Sequence, residues 1–302
     1  MNNKLFCFGY GYSCDYLGHE LLSNENWSVA GTTRSNEKKQ SLRSRGVQAY
    51  IFDYEHPLPD PAFILEDTTH LIISTPPSDE GDPAFISHAQ DILKLKNLQW
   101  VGYLSTTGVY GNRDGDWVNE NSELRPSSKR GSRRVKAEEQ WQSLYKNHDL
   151  PLHIFRLAGI YGPGRSALDT VRVGTARRIN KPGHIFSRIH VEDITNILLA
   201  SMAKPNPGAI YNVCDDNPAP SHEIISYACE ILGRPEPELI NFDEADMTPM
   251  ARSFYSDNKL VNNNRIKEEL DVQLKYPNFK EGLKACMDAE KHAIQLFKKP
   301  FS

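Results

Sequence analysis

The 302-residue sequence has little of what marks several large protein classes. Its five cysteines (Cys7, Cys14, Cys214, Cys229 and Cys286) are scattered, with no CxxC pair and no histidine at zinc-ligand spacing. An odd, dispersed set of thiols argues against a disulfide framework and against a metal site, and fits small reduced core residues of a cytoplasmic protein. No apolar run approaches the roughly 18 residues of a membrane span. Residues 1–22 lack the charged-then-apolar layout of a secretory signal. Positive charge is not in excess: the formal net charge is -4 and no long basic run occurs, which argues against nucleic acid as a main partner. Internal repeats and low-complexity tracts are absent.

What is present is a globular composition, 39% apolar and 25% charged, in a chain long enough for a large domain and a smaller lobe. Short runs at 5–8, 28–31, 48–52, 70–74, 101–105 and 152–155 read as strands. Several are nearly continuous in Val, Ile, Leu and Phe, as parallel strands buried on both faces require. Helical segments at 16–23, 85–95 and 134–145 alternate with them. The pattern predicts right-handed βαβ units: an α/β Rossmann fold with a doubly wound parallel sheet. Beyond residue 157 a Gly/Pro loop at 159–165 leads to a basic helical stretch, a returning strand at 185–191, a helix at 193–203 and another strand ending near 216. Residues 222–296 read as mainly helical. The expected division is a dinucleotide-binding domain at 1–157, rejoined by 185–213. A smaller, mainly helical substrate lobe takes 158–184 and 214–302.

The first strand runs into Gly9-Tyr10-Gly11-Tyr12-Ser13-Cys14. The first glycine permits a tight turn, the second lets the backbone approach a pyrophosphate, and the helix that follows turns its amide end toward the anion. The third glycine of the usual fingerprint is replaced by small Cys14. The second strand ends in Thr32-Thr33-Arg34, where an NAD site usually carries Asp or Glu for the ribose hydroxyls. Arg34 suits a 2′-phosphate, so NADP is expected over NAD; the plain alternative is a solvated surface arginine. Asp53, after the third strand, is a candidate for the adenine or an ordinary turn residue. Ser74-Thr75-Pro76 closes the fourth strand on the carboxyl edge, where such sheets bind ligands, and is placed beside ribose and pyrophosphate.

Leu104-Ser105-Thr106-Thr107-Gly108-Val109-Tyr110-Gly111 is similar to the strand-end signature of the extended short-chain dehydrogenase/reductases, the NAD-dependent epimerase/dehydratase family. Phe155-Arg156-Leu157 with Gly159-Ile160-Tyr161-Gly162-Pro163-Gly164, then Ile189-His190-Val191-Glu192-Asp193 and Tyr211-Asn212-Val213, follow in the family's order. Together with Arg177-Arg178-Ile179 and Ser253-Phe254-Tyr255, the motifs are most similar to an atypical, YeeZ-like subgroup. The resemblance implies a catalytic set of a hydroxyl residue, a tyrosine and a lysine. The hydroxyl falls on Thr106, and the Y-x-x-x-K positions fall on Arg130 and Arg134. An arginine stays charged at any working pH, so Arg130 is a poor acid and a worse base, although it suits a developing oxyanion. Arg134 keeps the lysine's charge beside the ribose with a different geometry. Tyr110 and Tyr161 are the substitute proton donors.

Gly159 is placed with the cofactor, and Tyr161, Arg165 and Arg188 with the substrate. Arg165, Arg172, Arg177, Arg178, Lys181 and Arg188 form either an anion-binding wall or a solvated face. His190 reads as a structural core histidine and Asp193 as a helix N-cap. The family pairs the helices that fall here at 85–95 and 134–145, which implies a homodimer. The expected function is an NADP-dependent oxidoreductase or epimerase acting on a small polar, anionic carbonyl or a sugar or sugar-nucleotide. The rival is an NADP-binding regulator or redox sensor that has lost turnover, and a structural subunit is the third reading.

Overall fold

The computed structural model describes residues 2–298, and the side chains of all of these except Met250, Ser253 and 290–298. Seven strands form one sheet: β1 (Asn3–Phe8), β2 (Trp27–Thr33), β3 (Gln48–Ile51), β4 (His70–Ile73), β5 (Trp100–Thr106), β6 (Leu152–Leu157) and β7 (Ile210–Val213). Their spatial order is β7-β6-β5-β4-β1-β2-β3, and every pairing is parallel. The order reverses between β1 and β4, so a crevice opens there at the carboxyl edge. Both β4 and β6 are buried at every position, so they are mostly apolar, with His70, His153 and Arg156 as buried exceptions.

Alternate residues of these strands feed two apolar layers. Leu5, Cys7, Ile72, Phe155 and Tyr211 join one layer, covered by helices α1 (Tyr12–Leu22) and, further along the chain, Val191–Ala203. Phe6, Phe8, Leu71, Ile73, Val101 and Ile154 join the other. Helices α2 (Asn36–Ser44), α3 (Pro83–Ile92) and α4 (Lys129–His148) complete the Rossmann unit. Asp82 caps α3 by accepting the amides of Ala84 and Phe85, and Ser128 caps α4 by accepting that of Gly131. The predicted α/β doubly wound sheet is the observed one. Among the described residues no helix is long and apolar enough to cross a membrane.

One expectation needs correction. Only Arg188–His190 of the stretch 185–191 is a strand, and it pairs with Gly159–Tyr161 outside the main sheet. The seat beside β6 that a returning strand would need is already held by β7. Beyond it lie helices Ser221–Leu232, Pro249–Phe254 and Phe279–Lys298 and a short strand at Leu239–Asn241. By contrast, Leu260–Val261 pairs with Trp117–Val118, and the helix Asn264–Leu270 packs Ile266 and Leu270 into the sheet layer of Leu5 and Tyr211, which returns part of the expected substrate lobe to the Rossmann unit.

Beneath the carboxyl edge, Arg156 of β6 is buried against Glu138 of α4, with Nη2 at 2.8 Å from Oε2 and Nε bonded to both carboxylate oxygens. Ser105 of β5 donates to the same carboxylate, and Arg156 Nη1 donates to the Tyr110 hydroxyl and the Glu120 carbonyl. Removing one partner of a buried pair strands the other charge. Glu138→Gln is therefore expected to lose about 3–5 kcal/mol of unfolding free energy, read from urea or guanidinium midpoints. A loss below ~1 kcal/mol would mean that the pair is solvated like a surface one.

Candidate functional site

A cavity of about 810 Å³ lies at the carboxyl ends of β1 to β4. Gly9 turns the chain there with φ +83, a region open to glycine, and a Cβ on it would fall 3.0 Å from the Thr75 amide nitrogen. Gly11 precedes α1, whose first turn has no side-chain cap, and a Cβ on Gly11 would approach nothing closer than 3.9 Å. An uncapped helix end above a bare backbone turn fits a pyrophosphate. Tyr10 contributes backbone only: its ring is buried against Gly18 and Gly31. Ser13 is also buried, and the Tyr12 hydroxyl donates to the Pro163 carbonyl at 2.9 Å, so these two side chains turn away from the crevice.

Arg34 lines the same cavity with Ser35 and Lys38. The Ser35 hydroxyl caps α2 by accepting the Lys38 amide at 3.2 Å, which brings the start of α2 to the end of β2. Lys38 was not singled out from the sequence. The available signal was its spacing, four residues after Arg34 and inside the first turn of a capped helix. Asp53 lines the cavity, but one carboxylate oxygen accepts the amides of Glu55 and His56 and faces His56 Nδ1 at 2.8 Å. The His56 contact holds this carboxyl below its usual range. Ser74, Thr75 and Pro76 line the wall. The Thr75 hydroxyl donates to Asp82, whose burial pushes its carboxyl up to about 6.

At the end of β5 the Thr106 Oγ1 accepts the Gly108 amide at 3.1 Å, leaving its own O–H to donate elsewhere. Gly131 in the first turn of α4 packs on this turn so closely that a Cβ would lie 2.9 Å from the Gly108 carbonyl oxygen. Arg134 Nη1 donates to the Leu104 carbonyl at 2.8 Å and to the Tyr103 hydroxyl at 3.0 Å. Arg130 is exposed. The structure corrects the expectation for Tyr110. Its ring is wholly buried, its hydroxyl donates to Asn212 Oδ1 at 2.6 Å and accepts from Arg156 at 2.9 Å, and nothing of it is left for a substrate proton.

Two cavities, about 720 Å³ and 550 Å³, lie in the lobe and share Arg177, Arg188 and Ser221 in their walls. Gly159 lines the larger of these and not the dinucleotide crevice, because it pairs with Arg188 beyond the end of β6. Tyr161 and Arg165 line the smaller. The Tyr161 hydroxyl is buried without a partner, and burial raises its pKa. Arg188 Nη1 is held by the Phe186 and Ala219 carbonyls, each at 2.9 Å, so much of its guanidinium braces the lobe. Burial lowers Arg188 to about 10. His190, not Asp193, is the N-cap of the helix Val191–Ala203: its Nδ1 accepts the Glu192 amide. Asp193 instead accepts the amides of Lys275 and Tyr276, tying the carboxyl-terminal segment down. Among the described residues no group of three or more His, Cys, Asp or Glu side chains could hold a metal ion.

Asp215 is 2% exposed and its Oδ2 has no partner. Burial raises its carboxyl from 3.8 to about 7, with Arg188 opposing the shift. The folded state therefore holds this proton where the unfolded chain has lost it. The stability contributed is full below about pH 4 and is lost as pH rises through 7. Asp215→Asn removes that slope, so the melting temperature of the variant relative to the wild type should climb between pH 4.5 and 8. A difference that stays flat across the range would contradict a raised pKa.

No protein-family model matches the chain. Protein YeeZ of Escherichia coli K12 is 26% identical over 281 residues, covering 87% of this chain and 94% of its own. The structure of a functionally unknown conserved protein from Silicibacter pomeroyi is 49% identical, covers 95% of this chain and 99% of its own, and superposes with a TM-score of 0.88. UDP-glucuronic acid 4-epimerase from Bacillus cereus, solved with UDP-glucuronic acid and NAD, shares the fold at 17% identity and a TM-score of 0.77, over 96% of this chain and 99% of that one. At 49% identity to the Silicibacter protein over 95% of its length and 26% to YeeZ, the chain is a YeeZ-like protein on the fold of the extended short-chain dehydrogenase/reductases.

Proposed function

We propose that the chain binds NADP(H) and uses it, as an oxidoreductase or epimerase, on a small polar carbonyl or sugar substrate bearing negative charge. The observation that carries this reading is the end of β2, where Arg34, Ser35 and Lys38 line the crevice and Thr33-Arg34-Ser35 offers no carboxylate for a ribose diol. Solved neighbours of the fold carry NAD in their names. The two cations support the phosphorylated dinucleotide here.

The first turn of α1 would face the pyrophosphate, and Arg34 and Lys38 the 2′-phosphate. Once bound, the dinucleotide would supply a hydride donor or acceptor. Arg134, pinned to Leu104, offers its remaining N–H groups to the nicotinamide ribose. The Thr106 hydroxyl would polarise the substrate oxygen, and Arg130 would stabilise the charge that develops there without giving up a proton. With Tyr110 committed to Asn212 and Arg156, the proton comes from solvent. That same commitment favours the second reading, a dinucleotide-binding regulator without turnover. The five cysteines are free and buried, which supports a reducing, cytoplasmic setting. By analogy with the family, α3 and α4 are the proposed homodimer surface.

Titration of the purified protein with NADPH and NADH, followed by fluorescence, tests the cofactor. NADPH should bind more tightly. Arg34→Ala with Lys38→Ala should weaken NADPH by roughly 100-fold or more, from charge-assisted bonds of about 1.5–3 kcal/mol each, and leave NADH within about 2-fold. Equal affinity for the two dinucleotides in the wild type would overturn the NADP assignment.

A further inference from the structure

One wall of the cavity of about 810 Å³ is the turn that follows β3. Phe52 enters the core there, and Asp53, Tyr54 and Glu55 line the cavity. The Asp53 Oδ1 accepts the amides of Glu55 and His56, each at 2.9 Å, and faces His56 Nδ1 at 2.8 Å. Its own amide donates to the His56 carbonyl at 3.2 Å. Asp53 is thus the brace of its own turn, as a short carboxylate commonly is.

Tyr54 is 41% exposed, and among the described residues it is the one exposed large apolar side chain that lines this cavity. The ring is not loose. Its hydroxyl donates to the Gly81 carbonyl and accepts the Ser78 amide at 3.0 Å, both in the loop between β4 and α3. An aromatic ring tethered at its polar tip, with its apolar body exposed in a cavity, is a preformed stacking surface that needs little further ordering on binding. Pro76 and Pro83 add apolar lining to the same cavity. Glu55 is exposed, and its carboxylate makes no hydrogen bond or ion pair with any described residue. An ionised carboxylate only accepts, so it pairs with an amino group and repels an oxo group in the same place.

We propose that Tyr54 and Glu55 hold the adenine of the dinucleotide, the ring as its stacking surface and the carboxylate as the acceptor of its 6-amino group. The inference rests on the dinucleotide reading above and assigns the base end of that site. Arg34 and Lys38 serve the 2′-phosphate, Tyr54 gives affinity for any purine, and Glu55 gives selectivity for adenine over a 6-oxopurine. The base contact thereby passes from Asp53, which is committed to its turn, to the side chain two residues later.

The test uses the full chain, NADPH and the analogue of NADPH in which hypoxanthine replaces adenine, each titrated by the fluorescence of the bound reduced nicotinamide. Wild type should bind NADPH at least about 10-fold more tightly than the analogue, the size of one charge-assisted hydrogen bond. Glu55→Gln should shrink that ratio to within about 3-fold, because a carboxamide both donates and accepts. Reading a ratio removes the effect of deleting a negative charge near the phosphates, which the two ligands share. Tyr54→Ala should weaken both ligands by about 10-fold or more with the ratio unchanged, and Tyr54→Phe, which restores the ring without the hydroxyl, should recover most of the loss. Asp53→Asn keeps an oxygen for the turn amides and serves as the counter-test. If NADPH binds but wild type does not distinguish the two ligands, or if Asp53→Asn rather than Glu55→Gln abolishes the distinction, the Glu55 assignment is overturned and the dinucleotide reading stands. If Tyr54→Ala binds like wild type, or Tyr54→Phe is as weak as Tyr54→Ala, the stacking assignment is overturned. If NADPH itself fails to bind, the proposal and the dinucleotide reading fall together.

Discussion

The buried Arg156–Glu138 pair is the interaction on which the arrangement of the site depends. It joins β6 to α4, and through Ser105, Tyr110, Glu120 and Asn212 it reaches the ends of β5 and β7. Two charges out of water need every remaining donor and acceptor satisfied, and here each neighbour supplies one. The network fixes where α4 begins relative to β5, hence where Arg130 and Arg134 stand relative to Thr106. It also explains why Tyr110 carries no chemistry: its hydroxyl belongs to the scaffold beneath the site.

A second set of contacts settles the loop between β4 and α3. Asp79 is held by Lys129 and Arg133, and the Tyr54 hydroxyl donates to the Gly81 carbonyl. Asp82, buried at the start of α3, receives the Thr75 hydroxyl and gives its own amide to Gln140. The segment that carries Ser74, Thr75 and Pro76 into the crevice wall is thus held from behind by α4.

The sheet was legible because strands buried on both faces draw apolar residues at successive positions, as in Leu5–Phe8 and Leu71–Ile73, although His153 and Arg156 interrupt β6. The glycine turn was legible because Gly9 adopts a φ that a side chain resists. What escaped were matters of partnership. The motif around Tyr110 cannot show that Asn212 and Arg156, far along the chain, consume its hydroxyl. Nor does the basic run after Gly159 show that Arg188 points at backbone carbonyls. Asp193 has the composition of a cap, yet His190 takes that role, and Asp193 serves the distant amides of Lys275 and Tyr276. The 185–191 stretch is apolar enough for the main sheet, but whether a seat remains there is decided by Ile210–Val213.

That last strand also has a consequence for biosynthesis. As the chain leaves the ribosome, β6 can dock on β5 once residue 157 has emerged, and its outer side then has no neighbour until residues 210–213 follow. Over that interval the nascent protein carries an unprotected edge, Leu-His-Ile-Phe-Arg-Leu, of the kind that recruits other strands.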